Sequence, residues 1–197
     1  MKNTKDVKEK IIKATTELIE ESGGKTESIT SRKIAERAGV ALGLINYHFE
    51  NKDNLVSICT QRIINGIIMC FLPDDEGVEV PTEKEQIAQR AKKVLDFVFR
   101  YPAICSISVL EDMSSYKLRS NSVAVQKGFS LAIGNKMDED TKRLLVFMLT
   151  SSIQAAFMSR GVSKEVLGYD LSVKEERDAC ADRMAAILFE GAGSRLL

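Results

Sequence analysis

The residue types that most often carry catalysis or bind metals are few in this sequence and are scattered along it. His48 is the only histidine, so a Ser-His-Asp or Cys-His arrangement would have to be built around it. The four cysteines show no CxxC spacing and lie in apolar helical patterns, where cysteine behaves as a small hydrophobic residue: Cys59, Cys70, Cys105 and Cys180. Neither a glycine-rich phosphate loop nor a His/Cys metal spacing is recognisable. The sequence therefore argues against an enzyme and predicts neither a cofactor nor a metal, while a redox role of the cysteines stays open.

A different chemistry is concentrated in residues 30–55, which read as two short helices joined by a turn and followed by a third helix. Thr30 can cap the first helix through its hydroxyl. Gly39 can form the turn, because a left-handed backbone conformation costs glycine little. Val40 and Ile45 are placed to point inward in the second helix, which leaves its uncharged outer side open to a partner. A helix, a glycine turn and a second helix of this kind form the helix-turn-helix pattern.

The end of this stretch is more specific than a generic helix-turn-helix, because an aromatic-His-Phe sequence is followed by Asn-Lys-acid-x-Leu. The chain resembles the TetR family of transcriptional regulators, and the resemblance covers about a quarter of its length. The residues that carry it are Ala35, Gly39-Val40, Ile45, Tyr47-His48-Phe49, Asn51-Lys52 and Leu55. The alternative interpretation is that the three helices are a small part of an enzyme or of an all-helical scaffold.

The resemblance implies an all-α fold with two domains. Residues 1–51 would form an N-terminal three-helix helix-turn-helix DNA-binding domain, and residues 52–197 a larger C-terminal helical ligand-binding and dimerisation domain. The implied function is that of a ligand-responsive regulator of transcription, taken as a repressor that a small molecule releases from a palindromic operator. The alternative function is a helical interaction module, or an enzyme, that retains the fold without operator binding.

Three side chains in the stretch are candidates for contacts to bases. Arg32 can donate two parallel hydrogen bonds to guanine, and the matching position of the family faces DNA, so it is a candidate for a base or phosphate contact. Asn46 can pair with adenine, although many relatives carry an aromatic residue there. Leu44 can pack on a thymine methyl group, and Gly43 can let the backbone approach the DNA.

Other residues of the stretch are expected to contact phosphates, which set the register rather than the sequence preference. Tyr47 and His48 can donate to phosphate oxygens, while a structural hydrogen bond is the alternative for His48. Lys52 opens the third helix, where free N–H groups and the helix dipole favour a phosphate. The full predicted DNA-binding set is Thr30, Ser31, Arg32, Leu42, Gly43, Leu44, Asn46, Tyr47, His48 and Lys52.

The elements that must position these side chains follow from the helical spacing of apolar residues. Helices are predicted over residues 5–22, 30–38, 41–48, 52–71, 82–100, 102–112, 114–133, 138–159 and 173–190. Residues 73–85, which are acidic and contain two prolines, and residues 161–168, which are bounded by glycines, are predicted loops. A composition of 44% hydrophobic and 28% charged residues, with three prolines and no tryptophan, suits a helix-rich protein.

Net charge is zero, which does not suit a protein that coats nucleic acid, but a specific DNA reader needs only a local basic face. The lysine-rich first thirteen residues supply one. No signal peptide, lipidation motif or continuous apolar run of membrane-spanning length is recognisable. We therefore expect a cytoplasmic protein with reduced thiols and no membrane partner.

The predicted helix over residues 140–159 is apolar nearly all round, so it must be covered on all sides. Together with residues 173–190 it is expected to form a two-fold four-helix interface in a homodimer, the alternative being an internal helix of a monomer. The aromatic and methionine positions of the middle helices are candidates for a small-molecule pocket, and they indicate an apolar or amphipathic effector. These candidates are Phe97, Tyr101, Met113, Tyr116, Phe129, Phe147 and Met158.

Overall fold

The computed structural model describes residues 2–71, 82–135 and 137–193, and within these ranges the chain is helical without a β-strand. The predicted all-α fold class is therefore confirmed. The α-helices of the described ranges are α1 (Lys2–Glu21), α2 (Ser31–Ala38), α3 (Gly43–Phe49), α4 (Lys52–Asn65), α5 (Glu83–Arg100), α6 (Pro102–Ser114), α7 (Asn121–Ile133), α8 (Glu139–Met158), α9 (Ser163–Leu167) and α10 (Lys174–Gly193).

The chain divides into two compact units. The first unit contains the residues up to Gly66 together with Tyr101–Leu110, and the second contains Ile67–Arg100 together with the residues from Glu111 onward. Helix α4 thus belongs to the first unit, and α6 begins in the first unit and ends in the second. The functional boundary between residues 51 and 52 that the sequence suggested stays a prediction.

The core of the first unit lies where α1 packs on α2 and α4, and where α3 packs on α4. Ile11 and Ile19 on α1 are fully buried, as are Ile34, Ile45 and Leu55 on the three following helices. Full burial of an aliphatic side chain of this size contributes about 1.5–3 kcal/mol to stability. The apolar spacing on α1 therefore fixes the inner face against which the helix-turn-helix is built.

The start of α6 is tied to the end of α1 by a carboxylate cap. Glu20 accepts hydrogen bonds from the backbone N–H groups of Ala103 and Ile104, at 3.1 and 3.2 Å. These two N–H groups lie in the first turn of α6, where they lack partners within the helix and where the helix dipole favours a negative charge. Gly24 approaches the same turn, because a Cβ added there would lie 3.3 Å from the Ala103 carbonyl oxygen.

The second unit is centred on α5, which packs along α10 and also contacts α7 and α8. An ion-pair cluster joins α5 to α10. Arg177 is 9% exposed, and its guanidinium donates to Asp96 at 2.9 Å and to the Leu171 carbonyl at 2.8 Å. The same guanidinium lies 4.7 Å from the ring centroid of Phe99, which in turn packs edge-on against Phe157 of α8. One arginine thereby holds three segments of the unit in place.

The predicted continuous helix over residues 52–71 was wrong at its C-terminal part. The α-helix ends at Asn65, and Gly66–Phe71 form a tighter 3₁₀ turn. Glycine is a poor residue for a helix interior, because it loses more backbone freedom than any other residue on folding. Gly66 therefore ends α4 at the boundary between the two units.

The segment Lys52–Phe71 is long and apolar enough, by length and composition, to cross a membrane. The segment contains Lys52, Asp53 and Arg62, so it is not the continuous apolar run that the sequence was expected to lack. The core helix of a soluble protein has the same composition, and Leu55, Cys59 and Ile64 of this segment are buried within the first unit.

The helix predicted over residues 114–133 begins only at Asn121. Side chains bond to the local backbone here, which offers the chain an alternative to helix. The Lys117 N–H donates to the hydroxyl oxygen of Ser120 at 3.0 Å. The buried carboxylate of Asp112 accepts from the N–H and the hydroxyl of Ser122, at 2.7 and 2.6 Å. Periodicity alone did not reveal these competing bonds.

The loop predicted over residues 161–168 is also not irregular, since Arg160–Val162 form a 3₁₀ turn and α9 follows it. The buried hydroxyl of Ser163 accepts a hydrogen bond from the Leu171 N–H at 3.1 Å, which fixes the short helix from outside. Most of the predicted loop over residues 73–85 lies outside the described residues, and α5 begins at Glu83.

Candidate nucleic-acid interface

Helix α2 begins as its sequence predicts. Thr30 is in extended conformation, and its hydroxyl oxygen accepts a hydrogen bond from the Lys33 N–H at 3.2 Å. Ile29 before the cap and Ile34 within the helix are both buried, which is the arrangement of a hydrophobic staple. The cap and these two residues set the angle at which α2 enters the core.

The turn between α2 and α3 is formed by Gly39, which has φ 65° and ψ 39° and is therefore in the left-handed region. Its N–H donates to the Glu36 carbonyl at 3.1 Å, and the Val40 N–H donates to the Ala35 carbonyl at 3.0 Å. Both bonds satisfy carbonyl groups at the end of α2. The predicted role of the glycine is confirmed.

Helix α3 turns one side inward and the other outward. Ile45 and Phe49 are buried, whereas Leu42 is 46% and Tyr47 is 78% exposed. Asn46 is exposed as well. No Lys or Arg occurs between Ala38 and Asn51. The outer side of α3 therefore offers an amide, a phenol and aliphatic groups, without a cation.

The cations beside α3 differ in how they are bound. Arg37 donates two hydrogen bonds to Glu21, at 2.8 and 2.9 Å, and these bonds lower the pKa of the Glu21 carboxyl below its ordinary value. The ammonium group of Lys33 donates to the Ser28 carbonyl at 3.0 Å. Arg32 is exposed, and in the described part of the chain its guanidinium makes no hydrogen bond or ion pair. Arg32 is thus the cation of α2 that is available to a polyanion.

Lys52 has a structural partner that the sequence did not reveal. Its ammonium group donates to the Thr26 carbonyl at 3.1 Å and lies 3.4 Å from a carboxylate oxygen of Asp53. Only about a quarter of the side chain is exposed, at 26%. A lysine carries three donors, so one bond to Thr26 leaves two for a phosphate. The phosphate contact of Lys52 stays a prediction. The hydrogen bond to Thr26, which joins α4 to the segment after α1, is observed.

The junction between α3 and α4 is a strained turn. Glu50 has φ 66° and ψ −55°, and the Asn51 N–H donates to the Phe49 carbonyl at 2.7 Å, which is the geometry of a γ-turn. Asn51 caps α4 by accepting from the Asn54 N–H at 2.8 Å, and the Asn54 amide donates back to the Phe49 carbonyl at 3.0 Å. The two asparagines hold the turn that sets the end of α3.

His48 lies half-buried between two aromatic rings. Its ring centroid is 4.8 Å from that of Tyr47 and 6.2 Å from that of Phe49, and both pairs meet edge-on. The remaining members of the predicted set, Ser31 and Leu44, are half-buried. The structure thus brings the predicted DNA-binding residues to α2, α3 and the start of α4, while their contacts to DNA stay predictions.

The seven predicted pocket residues differ in how deeply they are buried. Phe129 is fully buried and packs edge-on against Phe71, with ring centroids 5.0 Å apart. Phe97 and Tyr101 are half-buried, and Tyr101 belongs to the first unit. The other four expose a third or more of their side chains: Met113 (55%), Tyr116 (49%), Phe147 (48%) and Met158 (36%). Their role in ligand binding stays a prediction.

Three of the four cysteines lie in surroundings that disfavour the thiolate. Burial raises the pKa of Cys59 and of Cys70 to about 11, and it raises the pKa of Cys180 as well. The reactive form of cysteine is the thiolate, which a raised pKa disfavours. No group of three or more His, Cys, Asp or Glu side chains that could hold a metal ion occurs among the described residues.

Comparison with known proteins is informative for the N-terminal part and for the fold. Residues 11–57 match the family of bacterial regulatory proteins called the tetR family. No curated protein sequence matches the chain. Residues 11–57 include α2, α3 and the turn at Gly39, so the match falls on the geometry described above.

Solved structures resemble the whole chain at low sequence identity. A TetR-like transcriptional regulator from Rhodococcus sp. RHA1 is 14% identical, with a TM-score of 0.66, and the alignment covers 96% of this chain and 97% of that one. A transcriptional regulator from Streptomyces coelicolor A3(2) is 20% identical, with a TM-score of 0.60 and coverage of 92% and 97%. A TetR variant from Acinetobacter baumannii AYE in complex with minocycline is 16% identical, with a TM-score of 0.59 and coverage of 93% and 97%. Residues 11–57 thus match the tetR family of bacterial regulatory proteins, and the whole chain shares the all-helical fold of these solved structures.

Proposed function

We propose that the chain is a ligand-responsive repressor that binds a palindromic operator as a homodimer in the cytoplasm. The observation that carries the proposal is the outer side of α3, where Asn46 and Tyr47 are exposed, together with the exposed Arg32 of α2, which has no partner among the described residues. Such a helix fits the major groove of B-DNA, whose width of about 12 Å admits one α-helix. The DNA-reading part would be residues 1–51 and the ligand-binding and dimerisation part residues 52–197.

The homodimer is supported by an apolar face on α8. Leu144, Phe147 and Met148 expose 60%, 48% and 44% of their surface. On α10, Ile187 is 55% exposed. Contiguous apolar surface of this kind is uncommon on monomers and marks an interaction site. We assign residues 140–159 and 173–190 to a two-fold interface in which each copy covers the face of the other.

A two-fold dimer presents two recognition helices to DNA. Half-sites in such complexes lie about 34–36 Å apart, one turn of the double helix, and the symmetry of the operator mirrors that of the protein. The base and phosphate contacts of each half-site are assigned to the ten predicted residues of α2, α3 and the start of α4, with Lys52 serving both the fold and a phosphate.

The effector is proposed to be an apolar or amphipathic small molecule. The exposed and half-buried aromatic side chains of the second unit supply apolar contacts for it, and the A. baumannii TetR variant was solved with minocycline bound. A ligand that favours a spacing of the two recognition helices other than the one that DNA requires weakens DNA binding by about 1–3 kcal/mol. DNA weakens the binding of the ligand by the same amount. Measuring the affinity of a stabilising small molecule with and without operator tests this coupling, which equal affinities contradict.

The test of operator binding uses the purified full chain and a labelled duplex from the region upstream of its own coding sequence. We expect a retarded complex that an excess of unlabelled specific duplex removes and that an equal excess of a scrambled duplex of the same composition does not. Arg32→Ala is expected to weaken the complex, whereas Lys127→Ala, which removes an exposed lysine of α7, leaves it unchanged. Equal competition by both duplexes contradicts specific operator binding.

A further inference from the structure

The outer side of α3 has a composition that is selective among base pairs. Together with the two residues before the helix, it exposes Ala41, Leu42, Gly43, Asn46 and Tyr47, and these residues include no cation. On the basis of the operator binding proposed above, we propose that α3 reads A·T base pairs, so that the bases beneath it in each half-site are adenine and thymine rather than guanine and cytosine. The proposal rests on which donors this side offers and which it lacks.

Guanine is disfavoured beneath α3 because this helix itself carries no Lys or Arg. In the major groove guanine presents two acceptors, and the commonest specific contact to them comes from Arg or Lys. Arg37 is held by Glu21 at 2.8 and 2.9 Å, and Lys33 donates to the Ser28 carbonyl. Arg32 and Lys33 belong to α2, so we assign a guanine contact from either of them to α2 and not to α3.

Adenine is favoured by Asn46. An asparagine amide can accept from adenine N6 and donate to adenine N7 at the same time. The Asn46 side chain is exposed and makes no hydrogen bond within the described residues, so its amide has both functions available. The α3 backbone beside it is fixed, because the Glu50 N–H donates to the Asn46 carbonyl at 3.0 Å. The amide is thus carried on a rigid support.

Thymine is favoured by the aliphatic groups at the start of α3. The thymine methyl group is recognised through apolar contact. Ala41 is exposed and Leu42 is 46% exposed. Gly43 has no side chain that could separate Ala41 and Leu42 from the major groove. A Cβ built at Gly43 has no other atom within 4 Å, so this position is open. An apolar patch beside an asparagine matches the methyl group and the acceptor-donor pair of successive A·T pairs.

The first experiment selects duplexes from a randomised pool with the purified full chain. We expect the enriched sequences to be palindromic, with A·T pairs at the central positions of each half-site. Enrichment of G·C pairs at the positions that Asn46→Ala affects overturns the inference and leaves operator binding intact. A pool without any enrichment overturns operator binding itself, and the inference falls with it.

The second experiment alters single atoms of the selected duplex, so it does not depend on the folding of a variant. Replacing the contacted adenine by 7-deazaadenine removes N7, and replacing thymine by uracil removes the methyl group. We expect each change to weaken binding, the first by about tenfold, which is within the range for a bidentate base contact. Unchanged affinity for both analogues at every A·T position of the half-site overturns the inference.

The third experiment reverses the preference. Asn46→Arg supplies the donor pair that guanine requires, so the selected pair at the contacted position is expected to change from A·T to G·C. Asn65→Ala, which alters an exposed asparagine of α4 in the same unit, serves as the matched control and keeps the A·T preference. Retention of the A·T preference by Asn46→Arg at full affinity contradicts the role of Asn46.

Discussion

The outer sides of α3 and α8 both expose large apolar side chains, yet they suit different partners. At α3, the exposed apolar groups of Leu42 and Tyr47 accompany the exposed amide of Asn46, and the preceding helix exposes Arg32, which has no partner among the described residues. On α8, no charged residue occurs between Leu144 and Met158. The seven residues of α3 extend about 10 Å and the twenty of α8 about 30 Å, at 1.5 Å per residue.

The comparison teaches that exposed apolar surface does not by itself identify a partner. Length and nearby charge decide between a polyanion and a second copy of the chain. A short helix with an amide and neighbouring cations fits a DNA groove, where most contacts are to phosphate and sugar. A long uncharged helix fits an apolar interface, in which charged residues are depleted at the centre.

The largest effect is expected from a charge on the face of α8. Phe147→Glu places an uncompensated carboxylate in the dimer interface of both copies, which costs about 3 kcal/mol or more. Light scattering at micromolar concentration is expected to give a monomer of 21.9 kDa instead of a dimer. Leu118→Glu, at a residue that is 88% exposed outside the helices, serves as control. A Phe147→Glu variant that remains dimeric removes α8 from the interface.

The next effect concerns one glycine in each of the two units that contain α3 and α8. A Cβ added at Gly128 of α7 would lie 2.6 Å from the ring of Phe71, so Gly128→Ala is expected to lower the free energy of unfolding by about 1–3 kcal/mol. Gly43→Ala meets no neighbour and is expected to keep or raise stability, while it weakens operator binding. Denaturant unfolding separates the two variants, and equal destabilisation contradicts the packing argument.

A smaller effect separates the two predicted phosphate contacts. Arg32→Ala is expected to flatten the salt dependence of DNA binding by about one unit per subunit and to leave the melting temperature unchanged, because Arg32 has no partner in the described structure. Lys52→Ala is expected to do the same and also to lower stability by about 1 kcal/mol, since the bond to Thr26 is lost. Salt titrations and thermal unfolding measure both properties. A melting temperature equal to that of the wild type in Lys52→Ala contradicts the structural role of this lysine.

The smallest effect concerns the ion pairs that support α10 beside α8. Burial raises the pKa of Asp96, but the hydrogen bonds from Arg177 and Lys174 outweigh it, so the pKa lies below its ordinary value. The ionised carboxylate therefore stabilises the fold above about pH 3.9, and this contribution is lost as the pH falls through the folded pKa. The melting temperatures of wild type and Asp96→Asn are expected to differ at pH 7 and to approach each other as the pH falls below about 3.9. Asp140→Asn, at an exposed residue, controls for general charge effects, and a difference between wild type and Asp96→Asn that does not shrink with falling pH contradicts the assignment.

Local sequence patterns predicted the geometry of α2 and its turn because the forces involved act over a few residues. The Thr30 cap and the Gly39 turn depend on residues within five positions in the sequence. Ile45 is buried because the helical spacing of α3 places its side chain on the inner face. The family resemblance added the interpretation of the surface. The same reasoning missed Asn54, although its spacing of three from the cap residue Asn51 was visible in the sequence.

Contacts between distant parts of the chain could not be predicted in this way. Glu20 lies 83 positions from Ala103, and Lys52 lies 26 from Thr26, so no periodicity connects them. The sequence could not show that Phe147 and Met158 are exposed, because residues 144–158 form a helix that is apolar on nearly every side. Apolar spacing identifies a helix, but the partner of each face is decided by the fold.

The cap that Glu20 places on α6 also bears on biosynthesis. Residues 101–110 complete the first unit, so the segment that contains α1 to α4 leaves the ribosome before its last part has been made. Translation proceeds at about 5–20 residues/s, which puts several seconds between the emergence of Gly66 and that of Leu110. During that interval Glu20 lacks the N–H groups of Ala103 and Ile104. The first unit therefore cannot complete its folding as soon as the residues up to Gly66 have emerged. Its completion requires α6, the helix that follows α5.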